Sequence, residues 1–373
     1  MPATDGIFLA RPDTPADGIA LAVKDLLDTA GLITTYGSAI FVDHVPDRTA
    51  ESVRRLEAAG YANVGKTNLH EFAYGVTSQN PHFGTVPNPV APGRVAGGSS
   101  GGSAAALAAG LADAALGSDS GGSIRIPAAW CGVVGFKPTF DLVSLDGCFP
   151  LAPTFDHAGP MARSVRDCVA MLEALAPGFR PEGSVSLEEL EVAVAWTDLA
   201  DPLVRERVEA AAAHFPRATR VEFPLAAAVG PVFMREVADV HRSLFPERAD
   251  EYGDNVRTKI ERCLALAEAE VETARRAREA HRSEAEQAMG NADLLLTPTL
   301  AFVAPPADVV EIKIRVRTIQ FTFPFNSLGW PALALPCGPA EDGLPASVQL
   351  VGRPGTDALV LAAGEALEAA LAK

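Results

Sequence analysis

Gly97-Gly98-Ser99-Ser100-Gly101-Gly102-Ser103, followed after an alanine-rich run by Gly117-Ser118-Asp119-Ser120-Gly121-Gly122-Ser123-Ile124-Arg125, is the densest pattern in this 373-residue chain. Glycine permits positive φ and close backbone approach, so consecutive N–H groups can converge as an anion-binding nest. A nest beside a hydroxyl has the makings of an oxyanion hole beside a nucleophile. The competing reading is a flexible Gly/Ser linker. Two such tracts, joined by a helix expected over 103–115 and embedded in apolar sequence, argue against it.

Outward from this pattern, short apolar runs alternate with amphipathic segments, the mark of an α/β fold. IALAVKD (19–25) reads as a strand, TAESVRRLEAAG (49–60) as a helix closed by Gly60, and YANVGKT (61–67) as another strand. Residues 177–190 read as a polar connection before strand periodicity returns at 190–196. The stretch 203–289 is mostly helical with charged faces, as a half-solvated helical cover should be. FTFPFNSLGWPALALPCG (321–338) and LPASVQLVG (344–352) read as strand-like runs, and 358–372 closes as a helix. Strands at both ends predict one sheet, completed late, and the length allows one large α/β domain or about two. There is no internal repeat.

Composition sets the outer limits. Lys+Arg 31 against Asp+Glu 47 gives 31 − 47 = −16, which argues against a nucleic-acid or anionic-membrane surface. At 48% hydrophobic and 21% charged residues the chain can bury a large core. The N-terminus shows no secretory pattern, and no stretch reaches the roughly 18 apolar residues of a membrane span. Five cysteines, odd in number and without a CxxC pair, suggest neither a disulfide framework nor a zinc site. A reducing cytoplasm fits best.

Which group could activate a serine is the next question. The seven histidines (His44, His70, His82, His157, His214, His241, His281) stand in no motif. Lys24 ends the apolar run Ile19–Val23, and a partly desolvated amine has a lowered pKa and can act as a neutral base. The plain alternative is a solvated strand end. Three rival motifs also need weighing. Gly60–Thr67 matches the P-loop pattern of a nucleotide-binding protein, yet Gly60 closes a helix and the tract continues as a strand, the reverse of P-loop context. Gly97–Gly101 matches the GxSxG elbow of an α/β-hydrolase esterase with Ser99 as nucleophile, yet the proline-rich PNPVAPGRVA before it cannot be a central strand. Cys131 lies in an apolar run and reads as packing rather than as a thiol nucleophile.

VKDLLDTAG, GKTNLHEFAYG, GGSSGGSAAALAAG, GSDSGGSIRIPAAWCGVVGFKPT, FDHAGPMARSV and NSLGWPALALPCG…GLPASVQLVG together resemble the amidase signature hydrolases over nearly the whole chain. The resemblance implies an α/β fold with one large mixed sheet flanked by helices, a single domain over 1–373 with about 177–290 as a mostly helical cover, and a Ser–cis-Ser–Lys triad with serines spaced as here, 123 − 99 = 24. It makes Ser123 the nucleophile, Ser99 the bridging serine after a cis peptide, and Lys24 the base. It places the oxyanion hole on the N–H groups of Ser120, Gly121, Gly122 and Ser123. Asp119, Arg125 and Ser100 are implied loop supports, with Thr139 and Asp156 in similar roles.

The implied activity is hydrolysis of a small or aryl carboxylic amide to acid and ammonia or amine, with no cofactor and no metal, and a lysine base implies an alkaline optimum. Tyr74, Gln79, Trp130, Cys148 and Phe149, with Phe72, Thr77 and Asn80, are candidates for the substrate pocket. The expected partner is a small amide rather than nucleic acid or membrane, and a homodimer is left open. The short central and C-terminal parts predict a reduced pocket rim. The amidotransferase members of the family need further substrate and partner surfaces that do not stand out here.

Overall fold

The structure, a computed structural model, describes residues 6–14 and 17–373. The N-terminal segment read for a leader lies partly outside the described residues. The chain opens with β1 (Phe8–Ala10), β2 (Ile19–Lys24), α1 (Glu51–Ala58) and β3 (Tyr61–Thr67). A small hairpin, β4 (Gln79–Asn80) and β5 (Gly84–Thr85), precedes α2 (Gly101–Ala108), β6 (Ala114–Asp119), α3 (Arg125–Cys131), β7 (Val134–Lys137), β8 (His157–Ala162) and α4 (Val165–Leu175). Next come β9 (Val192–Val194), α5 (Pro202–Ala212), β10 (Ala218–Arg220), α6 (Gly230–His241), α7 (Phe245–Arg248), α8 (Asp254–Leu264) and α9 (Glu268–Met289). The chain ends with β11 (Leu294–Pro298), α10 (Glu311–Ile319), α11 (Phe323–Leu328), β12 (Ala332–Pro339), β13 (Pro345–Val351) and α12 (Asp357–Leu371).

Eleven strands form one mixed sheet in the order β1-β3-β2-β6-β8-β7-β12-β13-β11-β9-β10. β2 runs parallel to both β3 and β6, so their carboxyl ends, Lys24 and Asp119, emerge at the same edge of the sheet. In α/β sheets that edge is where ligands bind. The late strands β12 and β13 do not extend the sheet but close its middle, β12 pairing with β7 and β13 with β11. No described helix is long and apolar enough to cross a membrane.

Two sequence expectations change. The alanine-rich helix covers 101–108, not 103–115, because Gly110 turns left-handed (φ 67°) and the Leu111 N–H reaches back to the Ala106 carbonyl, a helix-ending bond. Ala114 and Ala115 then enter β6, held between β2 and β8. The run FTFPFNSLG holds a helix where a strand was expected. Pro324 stands in the first turn of α11, where its missing N–H costs nothing, and Gly329 (φ 73°) ends the helix. The segment 203–289 is mostly helical, with β10 between α5 and α6, and its residues help wall the cavity described below.

Candidate active site

β2 carries the alternation Leu21, Val23 on one face and Ala22, Lys24 on the other, and every residue from Leu21 to Lys24 is buried. Lys24 is 0% exposed, and its Nζ lies 2.7 Å from Ser99 Oγ and 2.8 Å from Ser118 Oγ. No carboxylate lies within ion-pair distance of it among the described residues. Burial drives the Lys24 amine down to about 7, weakly opposed by nearby acids. Of those, the Cys148 thiol is pushed up to about 12 by burial and carries no charge at neutral pH, so the opposition comes from Asp119 and Asp156. An amine held there loses its proton near neutral pH, below the alkaline range expected from the sequence.

Ser99 follows a cis Gly98–Ser99 peptide, as the resemblance implies. Its carbonyl accepts from the His70 N–H and from Ser78 Oγ, both at 3.2 Å. A side chain at Gly98 would meet the Ser78 nitrogen at 2.8 Å, so this crossing of two loops admits only glycine. No strand precedes Ser99, and the residue is 0% exposed. The elbow geometry is thus absent. Ser123, 7% exposed, lines a cavity of about 460 Å³ instead. Its carbonyl accepts from the Ser100 N–H at 3.2 Å, while its hydroxyl makes no hydrogen bond among the described residues. The structure therefore joins Lys24 to Ser99 directly and brings Ser123 beside them through backbone.

The loop between β6 and α3 is shaped by Asp119. Its carboxylate accepts from Gly122 N–H (2.7 Å), Ile124 N–H (3.1 Å) and, in bidentate fashion, Arg125 (both 3.0 Å). Burial alone would raise this carboxyl, but the Arg125 charge and its hydrogen bonds hold it well below the usual range. Of the four expected oxyanion donors, Gly122 is thus turned to Asp119, while the N–H groups of Ser120, Gly121 and Ser123 have no partner among the described residues. Gly122 sits at φ 127°, and a Cβ there would collide with Thr322 Oγ1. Thr322 in turn donates to the Gly121 carbonyl at 2.6 Å. Ser120 Oγ donates to Asp156 at 2.5 Å, and Ser100 Oγ donates to the Ser118 carbonyl at 3.1 Å.

Other expected residues lie elsewhere. Of the pocket candidates only Tyr74 lines the cavity. Gln79 ties down the Ala307 and Val309 carbonyls, Trp130 donates to the Phe302 carbonyl, and Thr77 bonds Gln79. Asn80 holds the Gly37 and Leu69 carbonyls. Phe149 packs on Tyr36, Phe41 and Phe72, with Cys148 beside them in the same cluster. Thr139 bonds Asp357 at the start of α12 rather than the site.

The rival motifs fail on geometry. Lys66 and Thr67 are buried within β3, and Lys66 pairs with Asp25 (3.4 Å), so 60–67 presents no phosphate cradle. Cys131 is buried and its thiol is driven far up by burial. His157, buried, is held neutral well below the ordinary range, its Nδ1 facing the Phe155 carbonyl at 2.7 Å.

Sequence reasoning missed Ser118, the second hydroxyl on Lys24, and two distant partners of Arg125. Asn326 Oδ1 and Gln349 Oε1 each accept from its guanidinium at 2.7 Å. A signal for Gln349 was present: Ser347 and Gln349 are polar residues at i, i+2 on one face of an otherwise apolar strand. The cavity's remaining charged lining, Lys259, Arg262 and Arg315, was also missed.

Comparison with known proteins follows the same lines. The family model described as Amidase matches residues 4–361. A glutamyl-tRNA(Gln) amidotransferase subunit of Haloarcula marismortui is 34% identical over 418 aligned positions, covering 98% of each chain. A solved structure described as a crystal structure of amidase shares 39% identity at a TM-score of 0.87, covering 94% of this chain and 84% of its own. Another, described as a vestigial protein complex revealing the origins of an s-triazine catabolic enzyme, shares 34% identity at the same TM-score and coverage.

Proposed function

This chain belongs to the amidase signature family, whose members act on amide C–N bonds, and from that premise we propose that it hydrolyses a small carboxylic amide through an acyl-enzyme on Ser123. One observation carries the reading: a fully buried lysine touches two serine hydroxyls and no carboxylate. An unpaired ammonium in such a place is costly, so burial brings the amine down to about 7, where its neutral, basic form is present near neutral pH.

In this mechanism Lys24 Nζ takes the proton of Ser99 Oγ as Ser99 takes that of Ser123. Ser123 Oγ attacks the carbonyl carbon, and the oxyanion meets the N–H groups of Ser120, Gly121 and Ser123. The C–N bond breaks as the proton returns through Ser99 to the leaving nitrogen. Water, deprotonated by the same relay, then releases the acid and restores Ser123. Ser123, alone of the triad, lines the cavity, which supports it over Ser99 as the acylated residue.

A fluorophosphonate should label the peptide containing Ser123, and Ser123→Ala should abolish both labelling and ammonia release from simple amides. Label on Ser99 would assign the esterase-type reading instead. A second reading, membership of a tRNA-linked amidotransferase complex, draws on the full-length match to the Haloarcula protein. Turnover of free amides by the purified chain alone supports the first reading, whereas activity only after addition of further protein components supports the second.

A further inference from the structure

The cavity that Ser123 opens onto is apolar along Leu151, Phe233 and Phe323, yet α8 and α10 bring it Lys259, Arg262 and Arg315. Glu311 is the carboxylate that faces Lys259 and Arg315, and three groups already hold it. Its Oε2 pairs with Lys259 at 2.9 Å and accepts from Asn255 at 3.2 Å, and its Oε1 accepts from the Val76 N–H. Burial would raise this carboxyl, but the Lys259 charge holds it at about 2. Arg315 follows Glu311 by one helical turn, the spacing at which an ion pair ordinarily forms. Here no such pair exists among the described residues. The Arg315 guanidinium lies over the Tyr74 ring instead, 4.6 Å from its centroid. The Tyr74 ring and hydroxyl hold the guanidinium on one side, and its remaining N–H donors are left for a planar acceptor.

We propose that the cavity takes an amide with an apolar body and one carboxylate, received by Arg315; this rests on the reading that Ser123 is the acylated residue. Glu311 acts on Arg315 from a distance but pairs with Lys259, so this half-buried guanidinium, with no ion pair of its own among the described residues, gains most from a carboxylate, which matches its fork with two parallel hydrogen bonds. A phosphate dianion would need a second free cation at the same depth. Lys259 is committed to Glu311 and to the Tyr74 carbonyl, and Arg262 stands on the exposed rim.

The test is binding to Ser123→Ala protein by calorimetry, so that it does not depend on turnover. Two matched pairs place the charge on either side of the amide: 4-carbamoylbenzoate against terephthalamide, and N-benzoylglycine against N-benzoylglycinamide. In at least one pair the anion should bind ten-fold or more tightly than its neutral isostere. Arg315→Gln should remove most of that preference, while Lys313→Gln, an exposed charge on the same helix, should keep it. Equal binding within both pairs, or equal losses in the two variants, overturns the proposal. Failure of the acyl-enzyme reading shows separately, as absence of fluorophosphonate label on Ser123 in the unaltered protein.

Discussion

Two buried polar clusters meet at the carboxyl end of β6, and they are built on opposite principles. On one side Lys24, Ser99 and Ser118 share hydroxyls and one amine, with no carboxylate. On the other, Asp119 and Arg125 form a bidentate ion pair whose remaining donors and acceptors are filled by Gly122, Ile124, Asn326 and Gln349. A charge satisfied from every side resists any proton movement and fixes geometry. An amine that burial holds near neutrality can gain and lose a proton at little cost. Adjacent residues Ser118 and Asp119 thus serve a mobile proton and a rigid loop, respectively.

The comparison breaks if the lysine cluster proves structural. Lys24→Met should lower kcat/KM by about 10³-fold or more, in the range of a lost general base acting through a relay. Its stability, measured by urea unfolding near pH 6, should equal or exceed that of the unaltered protein. The sign follows from linkage: the folded amine sits at about 7, below its unfolded value, so the unfolded state binds the extra proton and Lys24 costs most stability at low pH. Ser99→Ala should be comparably slow, and the double variant little slower than either. Additive losses, or a large fall in stability with Lys24→Met, would make Lys24 a structural residue.

Arg125→Met probes the other cluster. It leaves Asp119 buried without its cation, and removing one partner of such a pair costs about 3–5 kcal/mol. The urea midpoint should fall accordingly. A stable but inactive Arg125→Met would instead place Arg125 in the chemistry.

The pH profile sharpens the contrast. Above about 7 Lys24 is neutral and kcat/KM should be flat; below it the rate should fall about ten-fold per unit as the amine is protonated. The limb lies near that of an ordinary histidine, so its position alone does not identify the base. His157 is already neutral there, and the limb should persist in His157→Gln. A limb that disappears in that variant would transfer the role to His157.

Much of this was legible in the sequence because it is local. β2, α1 and β3 follow from periods of 2 and 3.6, and Ser99, Ser123 and Asp119 stand inside glycine tracts whose composition is hard to read otherwise. What was not legible depends on long-range pairing. Ala114 and Ala115 look like a continued helix until β2 and β8 take them as a strand. The aromatic alternation of 321–325 mimics a strand, yet Pro324 and Gly329 were the true signals. Asn326 and Gln349 reach Arg125 across more than half the chain, and that Arg315 forms no ion pair among the described residues could not be known before Glu311 was seen to pair with Lys259.

Ser118 gives the smallest and most discriminating effect. Its Oγ and, more distantly at 3.5 Å, its carbonyl surround the Lys24 amine opposite Ser99. Both are acceptors for the protonated amine, so they favour the ammonium over the neutral form. Ser118→Ala removes the nearer acceptor and leaves the carbonyl. The Lys24 pKa should therefore fall further, and the acidic limb of kcat/KM should move to lower pH by up to about one unit, equivalent to about 1.4 kcal/mol. The plateau should drop by no more than about ten-fold, since Ser99 still holds the amine and the oxyanion donors are untouched. A shift to higher pH would mean that Ser118 donates its proton to a neutral lysine. An unmoved limb would mean that the Ser118 hydroxyl does not act on the Lys24 charge and leave the amine governed by burial alone.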